Sequence, residues 1–187
     1  IIVFNFLMLR LMGNTGVAAY GVVANLSLIV TSVYTGIAQG TQPITSRAYG
    51  YGNKEEQKKI LSYAMITVGA LSCCIYLVFL INATPIVQLF NSERNPQLQQ
   101  TAVHGLKLYF TAIPFAGFNI VMSMHFTSTE KALPAQAVSL TRGLFLIVPL
   151  AFFLCYVLEL TGVWLSYPIT EILVSVMGMI LYRKSAR

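Results

Sequence analysis

The 187-residue chain contains no aspartate, and its six acidic residues, all glutamates, stand against twelve Lys and Arg. Charged residues make up 10% of the sequence, where globular domains average about 25%. Without aspartate there is no Ser/His/Asp set, and the two histidines, His104 and His125, form no His-x-x-x-His pair. The three cysteines, Cys73, Cys74 and Cys155, show no Cys-x-x-Cys spacing, so neither zinc nor a disulfide framework is indicated. They read as small buried hydrophobes. Gly50-Tyr51-Gly52 runs into Asn53-Lys54 without the pattern of a phosphate-cradling loop. Lacking these sets, the chain is not expected to be an enzyme or to hold a metal or cofactor. The net charge of +6 does not point to nucleic acid, because the basic residues lie between apolar runs and form no continuous patch.

What is abundant is apolar sequence: hydrophobic residues reach 56% and mean hydropathy is +0.70. No initiator methionine, signal-peptide n-region or cleavage site stands at Ile1. The opening apolar stretch, 1–12, is shorter than the ~20 residues a bilayer crossing needs. The expectation is a chain that begins partway along a helix of something longer. Five membrane-length runs follow, at roughly 17–45, 60–83, 104–127, 134–158 and 162–182. None alternates as a membrane strand does. The fold class expected is an all-α integral membrane protein, a bundle of about six crossings with its first helix truncated.

Alternating crossings put Arg47, Lys54, Lys58, Lys59, Lys131, Arg183, Lys184 and Arg187 on one side, with Arg142 near it. The other side keeps only Arg10, Arg94 and Lys107. Positive-inside topology explains this bias and places the C-terminus in the cytoplasm of a multi-pass plasma (inner) membrane protein. On the outer side, the short apolar patch 86–90 is expected at the interface. Trp164 is expected there too, as an interfacial aromatic.

Polar groups inside the runs carry the functional signal. Along the first full run, residues advance by about 100° each. Asn25, Ser32, Thr35, Gln39 and Gln42 then share one stripe, expected to face the bundle interior or a wet cavity. Hydrogen bonding between helices is the structural alternative. Gly36 and Gly40 beside the stripe read as sites of close helix approach. Pro43 frees a carbonyl one turn earlier, near Gln39, and reads as a hinge. The third run groups Asn119 with Phe115, Met122, Ser123 and Phe126, which suits either a bulky organic ligand or ordinary packing. His125, titrating near physiological pH, is a candidate proton relay or an interfacial polar group. Glu171 lies mid-helix in the last run, and an intramembrane carboxylate is a functional candidate by default. Arg142 is expected to snorkel to the boundary rather than to neutralise a carboxylate.

These residues resemble a known family. Gly36 to Ile44, read as Gly-x-x-Gln-Gly-x-Gln-Pro-Ile and followed by Tyr49-Gly50, is similar to the second helix of the C-terminal half of bacterial multidrug and toxic compound extrusion (MATE) transporters. Phe118-Asn119 to Ser123 resembles their tenth helix, and Ser139-Leu140-Thr141-Arg142 with Pro149 their eleventh. Thr161-Gly162-Val163-Trp164 through Pro168-Ile169 resembles the opening of their twelfth, and Phe4-Asn5 the end of their seventh. The resemblance implies the C-terminal lobe of a twelve-helix antiporter that expels cationic organic compounds against a proton or sodium gradient, completed by an N-terminal lobe. It implies Gln39, Gln42 and Asn119 at the central cleft, with Asn5 and Tyr34 beside them; Met122 joins the cleft candidates from its grouping with Asn119. Glu171 stands where the family often has aspartate, and with His125 it is a candidate for coupling to H+ or Na+. The family's Ser-Tyr-Asn-Tyr-Gly is replaced here by Ser46-Arg47-Ala48-Tyr49-Gly50. A lipid-linked saccharide flippase of the same superfamily is the related alternative, and a non-transporting scaffold or decayed fragment the unrelated one.

Overall fold

A single glycine turns the first helix back on itself. In the computed structural model, which describes residues 1–185, α1 (Ile2–Gly50) is broken at Gly13, with φ 64° and ψ −151°. A straight helix would hold Phe4 and Tyr20 ~24 Å apart. Their rings instead stack at 5.3 Å, so the arms 2–12 and 14–50 run side by side. The close approach needs glycine: a Cβ on Gly16 would lie 2.7 Å from the Met8 carbonyl oxygen. The same device recurs in α7 (Ile147–Ser185), broken at Glu159 with φ 49° and ψ −127°. There a Cβ on Gly162 would run into the Leu154 carbonyl. Both glycines follow a threonine, in Thr15-Gly16 and Thr161-Gly162.

Between these hairpins lie α2 (Lys54–Ile81), the short α3 (Ala83–Phe90), α4 (Pro96–Tyr109), a 3-10 turn (Phe110–Ala112) and α5 (Ile113–Ser128). A second broken rod follows, made of α6 (Ala132–Leu140), a π turn (Thr141–Phe145) and α7. Every regular element among the described residues is a helix. Four stretches are long and apolar enough to cross a membrane, and the two breaks divide the first and last into paired arms.

Caps set several boundaries that apolar runs alone place elsewhere. Helix α2 starts ahead of position 60 because Asn53 Oδ1 accepts from the Glu56 amide at 3.1 Å. Helix α4 starts ahead of 104 because Asn95 accepts from the Gln97 and Leu98 amides, with Pro96 in the first turn. The 86–90 patch folds into α3, with Val87 buried and Leu89 81% exposed.

The span 96–128 is the centre of the lobe: 67% of its most apolar window is buried, against 17% for α2. Trp164 is fully buried there, not interfacial, because Gly105 leaves room for its ring: a Cβ on Gly105 would come within 2.5 Å of Trp164 Cε2. Its Nε1 is the single buried side-chain N or O without a partner among the described residues. The cysteines also depart from expectation. Cys73 and Cys74 are exposed on the lobe surface, because α2 buries Leu61, Ala64, Val68 and Ser72 on its other face.

Contacts gather the basic ends at one pole. Ser46 Oγ donates to the Ser128 carbonyl at 3.3 Å, and Lys131 Nζ donates to the Ser185 carbonyl at 3.0 Å. Partial burial, and then the charge of Lys54, lower the Lys131 pKa from its ordinary value. Arg187 lies outside the described residues. The opposite pole holds the Gly13 and Glu159 turns and α3.

Candidate functional site

Three elements bring a polar cluster into the middle of the lobe. Helix α5 supplies Asn119, α7 supplies Glu171 and Ser175 one turn apart, and the π turn supplies Arg142. Asn119 and Glu171 are both fully buried. Asn119 Nδ2 donates to Glu171 Oε2 at 2.7 Å and to the Glu171 carbonyl at 2.9 Å. Ser175 Oγ lies 3.1 Å from Asn119 Oδ1 and donates to it, and it also reaches the Glu171 carbonyl at 2.8 Å. Arg142 Nε closes the cluster on Glu171 Oε1 at 2.5 Å. Arg142 therefore neutralises a carboxylate and does not snorkel. A buried carboxylate left unpaired costs several kcal/mol, of the order of 3–5, which is more than the reach to the boundary returns.

The π turn helps to aim Arg142. Leu146 N donates to the Thr141 carbonyl at 2.9 Å, five residues back, so one extra residue fits into the turn and shifts the helix phase. Such bulges concentrate at functional sites. Beside the turn lies a cavity of about 780 Å³, bordered by the 2–12 and 14–50 arms, the end of α4, and the last broken rod. Its polar wall is Arg142, Glu171, Ser27 and Ser139; its aromatic wall includes Tyr109 and Tyr167, stacked at 4.4 Å and 14°.

The residues singled out from sequence separate into three groups. Asn119 and Glu171 meet in the cluster just described. Tyr34 and Met122 are enclosed in the lobe and line no open face. Tyr34 is fully buried with its hydroxyl 2.7 Å from Ser72 Oγ. Met122 packs with Phe126, Val138 and Val174. His125 is buried near the basic pole, edge-on to Tyr182 at 5.7 Å, far along α5 from the cluster. Asn5 is half-buried on the 2–12 arm.

The polar stripe of α1 faces outward, not into this lobe. Val23, Leu26, Val30, Tyr34 and Ala38 take the buried face at helical spacing. Asn25, Ser32 and Gln39 are therefore exposed, with Thr35 and Gln42 half-buried. Ser32 and Thr35 donate back to the Leu28 and Thr31 carbonyls, each at 2.8 Å. Gln39 and Gln42 side chains bond no other described residue. Gly36 and Gly40 are not close-approach points within the lobe, since a Cβ on either meets nothing within 4 Å. Pro43 produces no break: α1 is helical on both sides of it, and Gly13 is the residue with non-helical dihedrals.

The model of the family described as MatE matches residues 2–157. The chain belongs to the MatE family. It is 26% identical over 176 residues to the multidrug export protein MepA of Staphylococcus haemolyticus, covering 94% of this chain and 38% of the relative. It is 23% identical over 184 residues to the FAD transporter of Shewanella oneidensis, covering 96% and 39%. The chain thus spans well under half the length of these MatE relatives. Its fold matches the outward-facing conformation of a multidrug resistance MATE family transporter of the MOP superfamily with a TM-score of 0.91 at 19% identity, covering 98% of this chain and 41% of that one. The inward-facing conformation is matched with a TM-score of 0.91 at 20% identity, covering 98% and 42%. A Pyrococcus furiosus transporter of the same superfamily, whose pocket is described as having reverse polarity, is matched at 0.91 and 19% identity, covering 98% and 41%. The relatives are transporters, and this chain is a multi-pass membrane lobe of their fold.

Proposed function

We propose that this lobe is the C-terminal half of a secondary exporter that moves small organic compounds across the plasma membrane, driven by a proton or sodium gradient. One observation carries the reading: a ligand-sized cavity, walled by a buried ion pair and stacked tyrosines, sits inside a MatE-family lobe. Cavities of ~300–1,000 Å³ are the usual size for small-molecule sites. The outward stripe of Asn25, Ser32, Gln39 and Gln42 supports a second wall that faces an N-terminal lobe across a wet cleft. Exposed amides in a membrane helix are costly unless they meet water or protein.

Glu171 is the candidate coupling group, because it is the buried carboxylate of the lobe and its two oxygens tie three elements together. A proton or sodium ion that replaced Arg142 at Oε1 would loosen α7 from the π turn. His125, held by packing alone against Tyr182, is the second candidate. The basic pole supports a cytoplasmic C-terminus by the positive-inside rule. The cationic substrates implied by the family resemblance are one class to test, and the two relatives named above are described with different cargo. The test is dye accumulation in cells expressing the protein from its complete reading frame. Expression should lower accumulation, and replacing both Gln39 and Gln42 by Ala should restore it at equal membrane abundance. Unchanged efflux in the double variant removes those amides from the pathway.

A further inference from the structure

The ion pair in the cavity is not symmetric. Glu171 is fully buried, with Oε1 taken by Arg142 and Oε2 by Asn119. The Arg142 side chain is 22% exposed. A guanidinium has five N–H donors in a planar fork. Here Nε bonds Glu171 and the Tyr167 hydroxyl stands beside the fork, so Glu171 takes one donor and the fork keeps N–H groups for a ligand. Both ends of the pair border the cavity, but the Glu171 oxygens are already taken by Asn119 and Arg142, whereas the Arg142 fork is partly exposed. Among the described residues, Glu171 is the single acidic one in the cavity wall. Beside Arg142 lie the hydroxyls of Ser27 and Ser139 and the stacked Tyr109–Tyr167 pair.

We propose that this cavity selects planar aromatic compounds carrying a carboxylate, anchored on the terminal N–H groups of Arg142, and disfavours aromatic cations. An arginine fork matches a carboxylate bidentately, and the tyrosine pair offers a flat face to the ring. A cation entering the same cavity meets the guanidinium first and finds no free carboxylate. The proposal deepens the exporter reading above by naming a substrate class, and equilibrium binding tests it separately from transport.

The experiment titrates the purified full-length protein with three size-matched bicyclic probes: coumarin-3-carboxylate, neutral coumarin and the cation N-methylquinolinium. Wild type should bind the carboxylate most tightly and the cation least. Arg142→Gln should weaken the carboxylate by roughly 10- to 100-fold, the usual effect of losing charged hydrogen bonds, and should tighten the cation, because Glu171 is then unpaired. Arg142→Lys should keep the order of the probes. The double variant Arg142→Gln with Glu171→Gln, neutral and close in shape, should abolish the preference without reversing it, and serves where the single variant does not fold. Wild type binding the cation at least as tightly as the carboxylate overturns the proposal, as does an unchanged probe order in both Gln variants. Displacement of the carboxylate by phosphatidylglycerol also overturns it, by assigning Arg142 to a lipid phosphate. Absence of gradient-driven transport with the binding order intact would instead overturn the exporter reading alone.

Discussion

Replacing Gly105 by Ala separates two effects of opposite sign. In a free helix the substitution stabilises, by about 1 kcal/mol from propensity alone. In this lobe the added Cβ would lie 2.5 Å from Trp164 Cε2 and 2.7 Å from Cδ2. Real carbon contacts fall near 3.5–4.0 Å, so the ring must move by about 1 Å. It cannot do so freely: Trp164 is fully buried and packs on Tyr20 at 6.2 Å between centroids. Overpacking of this kind costs ~1–3 kcal/mol. The expected net effect is destabilisation of up to about 2 kcal/mol, which lowers Tm by a few degrees at ~2–4 °C per kcal/mol for a chain of this size. The assay is thermal unfolding of purified protein in detergent. Gly69→Ala, where a Cβ meets nothing within 4 Å, is the control and should be neutral or stabilising. Gly105→Ala in a Trp164→Leu background should lose most of its penalty. A Tm for Gly105→Ala at or above wild type would refute the packing argument.

Glu159→Gly should stabilise the protein by about 1 kcal/mol, because Glu159 holds φ 49° and ψ −127°, a region that suits glycine; thermal unfolding reads it. Gly16→Val should prevent the first hairpin from closing, since even a Cβ comes 2.7 Å from the Met8 carbonyl; loss of folded protein in size-exclusion chromatography is the expected outcome. Tyr34→Phe should cost about 1 kcal/mol, because it removes the bond to Ser72 while Ser72 still donates to the Val68 carbonyl at 2.6 Å. Asn119→Leu should cost more than Tyr34→Phe in the same unfolding assay, because it leaves the buried Glu171 Oε2 without its donor.

The helical class and the polar positions are legible in the sequence because lipid-length apolar runs and rare polar groups are statements about single segments. Asn119 and Glu171 stood out for that reason. Their contact was hidden, because it depends on how α5 and α7 pack and the residues lie 52 positions apart. Its place about two turns into an apolar run puts Arg142 within snorkelling reach of the boundary, and the π turn that carries it is a local departure that apolar periodicity does not report. Helical spacing groups the polar residues of α1 into a stripe, but its direction depends on which face the neighbours bury, and in this lobe it points outward. The apolar positions Val23, Leu26, Val30 and Ala38 already mark that face. The chemistry of Trp164 points to the interface, whereas the small Gly105 opposite it decides its position. Boundaries at Asn53 and Asn95-Pro96 carried cap signals that hydrophobic runs obscured.

The most direct test of the exporter reading is transport by the full-length protein reconstituted in vesicles, with a proton or sodium gradient imposed across the membrane and a fluorescent organic substrate inside one compartment. The account predicts gradient-dependent substrate movement that stops when an ionophore collapses the gradient, and that slows in Glu171→Gln. Movement at the same rate with and without any ion gradient, or none in either direction with folded protein present, would contradict it.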